Sequence, residues 1–420
     1  MRELPTAPLT GAEERRRWQP GAHASSLSVP ASRPRRMPAP SRLPLSLYVH
    51  FPWCLRKCPY CDFNSHALRG PADEAAYLRA LQADLAQDLP LASERRISSV
   101  FLGGGTPSLA SPGFVGDLLE AVDQLAGLEV GAEITLEANP GAADAARFTG
   151  YRAAGVNRLS IGVQSFDDHA LAALGRVHGG REAVAAAEAA RAAGFDNLNL
   201  DLMYALQGQD VRGALADLEA ALALAPEHLS WYQLTIEPNT AFAVAPPHLP
   251  DEDAAAEIQD AGIARLAEAG YARYEVSAYA RPGRRCRHNL NYWEFGDYLG
   301  IGAGAHGKLT LPDGRVLRRH KPRHPAAYLA EAGSAAGIAG EQALGPDDLD
   351  VEFAMNALRL ADGVPLALYA ERTGLDLRRL AAPIARALAL GLLAADPDRL
   401  APTPLGLQFL NRLVGLFGSA

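Results

Sequence analysis

Short apolar runs at 97–102, 133–138, 157–163, 197–203 and 229–236 alternate with alanine-rich amphipathic stretches at 74–88, 115–125, 181–193 and 211–224. Strands separated by single helices cannot fold back as hairpins, so each crosses over its helix and lies parallel to the strand before it. With the run Leu45, Leu47, Val49 the pattern gives about six strand–helix repeats. It predicts an α/β fold, a partial parallel (β/α)6 barrel. Chemistry in such folds gathers at the carboxyl ends of the strands. Here those ends read Gly103-Gly104-Gly105-Thr106-Pro107, Glu137-Ala138-Asn139-Pro140, Gln164-Ser165-Phe166 and Asp201. Glycines let a backbone approach a ligand closely. Glu137, Gln164 and Asp201 offer acceptors to hydroxyl or amino groups, and Arg176 can pair with a carboxylate.

The first apolar run is followed by Cys54, Cys58 and Cys61, with gaps of three and two residues. A structural zinc ion takes four protein ligands, whereas three thiolates on a cubic iron–sulfur cluster leave one iron open to an outside ligand. Half of a zinc knuckle completed by His66 or Cys286 is the alternative. Zinc frameworks pair two short Cys or His units and only one is present, so the cluster is the favoured reading.

The chain has 420 residues, 48% of them hydrophobic, enough for a large core and a smaller second domain. Its 40 Lys and Arg against 48 Asp and Glu argue against a nucleic-acid partner. Four cysteines do not make a disulfide framework, and clustered thiols suit a reducing compartment, read as the cytoplasm. No run approaches the ~18 apolar residues that span a bilayer; peripheral membrane contact stays open. Residues 1–43 carry eight Arg against three Glu and read as a disordered basic leader rather than a secretory signal, with Met37 an alternative start. The barrel is placed at 44–280, a connector at 281–345 and a helical domain at 346–420, with helices at 351–360, 366–373 and 377–391 and a wing at 393–403. From 347 onward seven Arg face nine acids, so this winged-helix-like unit reads as a lid or docking module and not a DNA binder.

The CxxxCxxC spacing with Tyr60 before the last cysteine resembles the radical S-adenosylmethionine (SAM) superfamily. The resemblance implies a [4Fe-4S] cluster on Cys54, Cys58 and Cys61. SAM would chelate its open iron, and an electron from the cluster would break a carbon–sulfur bond to give a 5'-deoxyadenosyl radical. Tyr48-Val49-His50-Phe51-Pro52, the segment 101–107, Glu137-Ala138-Asn139-Pro140 and the segment 160–166 resemble the oxygen-independent coproporphyrinogen III oxidase family, from about residue 45 to the C-terminus. In that family the positions matching Tyr48, Tyr60, Gly104, Gly105, Thr106, Glu137, Gln164, Arg176 and Asp201 contact SAM.

Phe63 stands where the oxidases carry a fourth cysteine. That departure, with Cys286-Arg287-His288-Asn289-Leu290-Asn291-Tyr292-Trp293 and the glycine-rich 300–307, is similar to the heme chaperone branch, whose members bind heme and pass it to acceptor hemoproteins. An imidazole is a ready axial ligand for heme iron, and Tyr292 and Trp293 offer flat faces to a macrocycle. His288 is the first heme candidate, with His306 and Cys286 as competitors. The alternatives are an authentic oxidase converting coproporphyrinogen III to protoporphyrinogen IX, with an unnamed electron donor, and a binding module whose cluster is structural. The segment 302–307 fits GxGxxG but leads into a hairpin with an Asp313-Gly314 turn rather than a helix, so nicotinamide binding is rejected.

Overall fold

The computed structural model describes residues 43–418 except 69 and 143. The leader expected at 1–43 lies outside these residues but for Leu43. Six strands form the body of the sheet in chain order: β1 (Leu45–Phe51), β2 (Ile97–Gly104), β3 (Leu128–Ala138), β4 (Arg158–Gln164), β5 (Leu198–Tyr204) and β6 (His228–Gln233). Every neighbouring pair among them is parallel. Beyond β6 the sheet continues antiparallel through β8 (Ala278–Ala280) to β7 (Ala272–Arg273). Beyond β1 it takes on β9 (Asp297–Ile301) in parallel, then β10 (His306–Thr310), β11 (Val316–His320) and β12 (Gly340–Ala343) antiparallel, twelve strands in all among the described residues. The chain beyond 281 therefore returns to the free edge of β1, the strand that leads into the cysteines.

Alternation along each strand sorts the side chains. Leu47, Val49, Leu102, Leu136, Ile161, Leu200 and Leu229 are buried in the main apolar core. That core includes buried residues of α1 (Glu74–Asp88), α2 (Pro112–Ala126), α3 (Ala145–Ala153), α4 (Gly180–Ala192), α5 (Val211–Ala223) and α6 (Glu252–Glu268). The intervening strand residues, among them Ser99, Thr135, Ser160, Asn199 and Ser230, are polar and largely enclosed. Side-chain caps from Asp73, Ser111, Asp144, Asp210 and Asp251 start five of the six helices. Two helices, α3 and α6, lie where the sequence reading placed none. The first is short, and Thr149 and Gly150 interrupt its apolar pattern without breaking the helix. In the second a glycine interrupts the apolar stripe, because a Cβ on Gly262 would sit 1.8 Å from the Trp231 ring.

A second apolar core gathers Phe353, Leu358, Tyr369, Leu380, Leu392 and Leu413 from the C-terminal helices. Val364–Pro365 pairs with Arg399–Leu400 and Leu393 bridges Pro402, which makes a short wing. Tyr274 and Phe295 join this core from the sheet side. Among the described residues no helix is long and apolar enough to cross a membrane.

Candidate cofactor site

Past β1, Trp53–Cys54 pairs with His66–Ala67 and pinches off the loop that carries the cysteines. Within it the Cys61 amide donates to the Cys58 carbonyl at 3.1 Å, the turn that Pro59 favours. Cys54, Cys58 and Cys61 are free thiols and share the rim of one cavity of about 480 Å³ at the carboxyl ends of the strands. That volume suits a small cofactor. The same cavity is lined by Tyr60, Gly104, Gly105, Thr106, Glu137, Gln164, Arg176 and Asp201, so eleven of the twelve residues singled out for this site meet there.

Tyr48 is the twelfth and does not line it. Its hydroxyl bonds His50 Nδ1 at 2.9 Å, and its ring would stand 3.1 Å from a Cβ on Gly103, so it supports the glycine turn from below. The turn itself has no room for side chains. Gly104 has φ +110°, and a Cβ there would meet the His50 ring at 2.5 Å. Its amide donates to Glu137 Oε2 at 3.1 Å.

Gln164 ends β4 in the left-handed region, φ +70°, a strained backbone for a residue with a long side chain. Its Oε1 accepts from the Tyr232 hydroxyl at 2.7 Å. Arg176 ties the cysteine loop to the barrel: Nη2 donates to the Gly162 carbonyl at 2.7 Å, and Nη1 lies 3.4 Å from the Tyr60 hydroxyl and 3.7 Å from Cys58 Sγ. Among the described residues its Nε is buried without a hydrogen-bond partner. Asp201 lies mid-strand rather than at the end of β5. It accepts from the Ser160 hydroxyl at 3.0 Å and the Asn199 amide at 2.7 Å.

Two carboxyls thus face one cavity. Enclosure, and then the nearby Asp201, push Glu137 up to about 8. Asp201 is also raised by enclosure, opposed by hydrogen bonds from Ser230, Asn199 and Ser160. Burial likewise raises the thiols of Cys54 and Cys61, so both keep their protons until a cation replaces them. A zinc ion gathers sulfurs at about 2.3 Å. Among the described residues no three Cys, His, Asp or Glu side chains converge closely enough for one ion. Three thiols spread around a rim, two proton-hungry carboxyls and an unspent guanidinium N–H fit a cluster together with a ligand carrying hydroxyl, amino and carboxylate groups.

The heme candidates lie elsewhere. His288 sits on α7 (Arg287–Trp293) and is 1% exposed. Its Nδ1 pairs with Ser99 Oγ at 3.0 Å and its Nε2 with the Tyr292 hydroxyl at 2.8 Å; burial pushes it down to about 3. Cys286, at 3.5 Å from Glu133, is pushed up to about 12 by the same enclosure. The expectation that these groups present themselves to a macrocycle meets a physical obstacle: α7 turns them into the polar interior of the sheet, where both imidazole nitrogens are used. The rings of Tyr292 and Trp293 are also engaged, Tyr292 in an edge-to-face contact with Tyr298 at 4.3 Å and Trp293 under the Arg359 guanidinium at 4.5 Å. His306 opens β10 and is exposed. The segment after 302–307 is the expected hairpin, with Gly314 at φ +88° in its turn.

Sequence reasoning missed His50, Ser160, Asn199 and Tyr232, which hold the cavity residues in place. A signal existed: polar residues at alternate positions within otherwise apolar strands, as in Ser160-Ile161-Gly162-Val163-Gln164.

The sequence matches the Radical SAM superfamily over residues 48–221 and the HemN C-terminal domain over residues 344–409. The heme chaperone HemW of Escherichia coli is 49% identical over 374 residues, covering 89% of this chain and 98% of that protein. The heme chaperone HemW of Haemophilus influenzae is 46% identical over 382 residues, covering 90% and 99%. Among solved structures, coproporphyrinogen III oxidase (HemN) from Escherichia coli superimposes with a TM-score of 0.74 at 24% identity over 94% of this chain and 92% of that one, a shared fold.

Proposed function

The chain belongs to the radical SAM superfamily, in the heme chaperone branch of the oxygen-independent coproporphyrinogen oxidase family, and from that premise we propose that it binds heme and delivers it to acceptor hemoproteins. The observation that carries the cofactor half of this reading is the single cavity shared by three free thiols and the polar strand ends. Cys54, Cys58 and Cys61 would hold a [4Fe-4S] cluster. The Gly104–Thr106 turn, Tyr60, Glu137, Gln164, Arg176 and Asp201 would hold SAM, with Tyr48 bracing the turn. When bound, the pair supplies one-electron reduction able to cleave a carbon–sulfur bond. The heme half rests on the relatives' function. Of the two histidine candidates His306 is favoured, since His288 has neither exposure nor a free nitrogen. The reducing milieu that clustered thiols need supports a cytoplasmic reading, and we propose the helical unit at 346–420 as a lid or docking module.

The rival activity, oxidative decarboxylation of coproporphyrinogen III, is disfavoured by Phe63, whose side chain is 59% exposed at the cavity where the oxidases carry cysteine. Anaerobically reconstituted protein given hemin should transfer it to an apo-hemoprotein without porphyrin turnover. Consumption of coproporphyrinogen with release of 5'-deoxyadenosine would replace the chaperone reading with the enzymatic one.

A further inference from the structure

Resting on the cofactor reading above, we propose that His228 is a positioning residue for the SAM site: through Asn199 it holds Asp201 as the ionised carboxyl of the cavity and leaves Glu137 to carry the proton.

The Asp201 carboxyl is gripped on both oxygens. Asn199 Nδ2 donates to its Oδ1 at 2.7 Å and to Ser160 Oγ at 2.7 Å, which commits both amide hydrogens, and the Ser160 hydroxyl donates to Oδ2 at 3.0 Å. Asn199 Oδ1 is then left to accept. It receives the Ser230 hydroxyl at 3.2 Å and lies 2.6 Å from His228 Nδ1, which must therefore carry the ring hydrogen. In a neutral imidazole the other nitrogen accepts, so Nε2 receives the Tyr274 hydroxyl at 2.8 Å. That hydroxyl in turn accepts from the Cys286 amide at 3.3 Å.

An amide that can only donate closes one end of this chain, and a carboxylate that can only accept closes the other. Every hydrogen between them has one place. A proton on Asp201 would require Asn199 to turn over and His228 to change tautomer. The Tyr274 hydroxyl would then lack an acceptor inside the barrel, where an unmade hydrogen bond is costly. Asn199, His228 and Tyr274 are all buried and none of them lines the cavity. Tyr274 also belongs to the second apolar core, so the far end of the relay is anchored by the C-terminal helices.

Arg158 opens β4, two residues before Ser160, and is 2% exposed. Among the described residues its Nε has no hydrogen-bond partner. With Glu133, Cys286 and Tyr274 around it, its charge favours the anion at Asp201 and the neutral ring at His228. Glu137, across the cavity, has the Gly104 amide at 3.1 Å as its donor among the described residues and titrates at about 8, raised by enclosure and then by Asp201. Tyr232 faces Asp201 as well and keeps its proton, raised by burial and by that carboxylate. The cavity thus presents one anion, held from below, to a cationic cofactor.

Nitrogen NMR of the full chain labelled with 15N at histidine reads the relay directly. His228, identified by the signal lost in His228→Asn, should carry its hydrogen on Nδ1 and stay neutral as the pH falls below the ordinary 6.5. Binding of SAM to anaerobically reconstituted protein reads its purpose. His228→Phe and Asn199→Asp should each weaken SAM roughly tenfold or more. His228→Asn, which returns an N–H close to the place of Nδ1, should recover most of that loss. A packing role predicts the opposite order, since Phe fills the space and Asn leaves a hole. Thermal unfolding checks that the variants fold, and the wild-type spectrum decides the matter where one does not. His228 with its hydrogen on Nε2, or a Phe variant that binds SAM as well as the Asn variant does, overturns the relay and leaves the cofactor reading standing. Wild-type protein that holds iron and sulfide yet takes up no SAM overturns both.

Discussion

Glu137→Gln should stabilise the cofactor-free protein at alkaline pH while weakening its grip on SAM. In the fold Glu137 titrates at about 8 rather than at the unperturbed 4.5, raised by enclosure and by Asp201. Between those values the native state keeps a proton that the unfolded chain has released. Stability therefore falls as pH rises from 4.5 toward 8 and is flat outside that window. At about 1.36 kcal/mol per pKa unit the full gap is at most ~5 kcal/mol. Solvent reaching the carboxyl through the cavity reduces this to on the order of 2 kcal/mol. Glutamine keeps the acceptor for the Gly104 amide and removes the charge that Asp201 opposes. Urea unfolding at pH 5 and pH 8.5 should show the two proteins alike at the lower pH and the variant ahead by ~2 kcal/mol at the higher. Titration with SAM should show at least a tenfold loss, the worth of about 1.4 kcal/mol, since an amide cannot attract an ammonium or polarise a hydroxyl as a carboxylate does. A variant no more stable than wild type at pH 8.5 would refute the claim that this carboxyl is held under strain for a ligand.

Cys58→Ser should abolish retention of iron and labile sulfide after anaerobic reconstitution yet shift the urea midpoint by less than about 1 kcal/mol, because the thiol sits on a surface loop and not in the core. His288→Ala should cost about 2–4 kcal/mol by unfolding, since Ser99 and Tyr292 lose their partner and a cavity opens, while His306→Ala should cost under ~0.5 kcal/mol. The same His288 variant should lose less stability on acidification below about 6.5, where the unfolded imidazole gains a proton that the buried one, held near 3, refuses. Gly262→Ala should destabilise by about 1–3 kcal/mol or more, because its Cβ would overlap the Trp231 ring and neither the helix nor the strand can yield freely.

Strand order and the cavity were legible because both are local signals. A parallel repeat writes its strands as apolar runs and its ligand groups just after them, which is why Gly104, Glu137 and Gln164 fall where expected. What the sequence could not show is which side chains support them. Tyr48 came in as a SAM contact through the family resemblance alone; its place against Gly103, 3.1 Å from where a Cβ there would stand, is a tertiary fact. His288 was read as a ligand from its residue type and aromatic neighbours, but its exposure depends on where α7 docks, a tertiary fact. Tyr232 was passed over because a tyrosine in a strand run is as often core as site.

The distant end of the chain matters to the cysteines for an energetic reason as well. Buried on α1, Asp84 and Asp88 pair with Lys321 at 2.5 and 2.8 Å, and Asp84 also accepts from the Tyr328 hydroxyl at 2.8 Å and the Gly302 amide at 3.1 Å. Buried ion pairs add little net stability against apolar replacements, yet removing one partner leaves a charge with nowhere to go. Their effect is to forbid other arrangements: the hairpin cannot slide along α1 without exposing an unpaired charge in the core. That fixes the turn at Gly302–Gly304, the turn receives Asn64, and Asn64 closes the loop that carries the thiols. The geometry around the cavity is thus set by a charge cluster built from two segments more than two hundred residues apart in sequence, and a fragment ending with the parallel strands would contain every thiol of the site but not the lock that orients them.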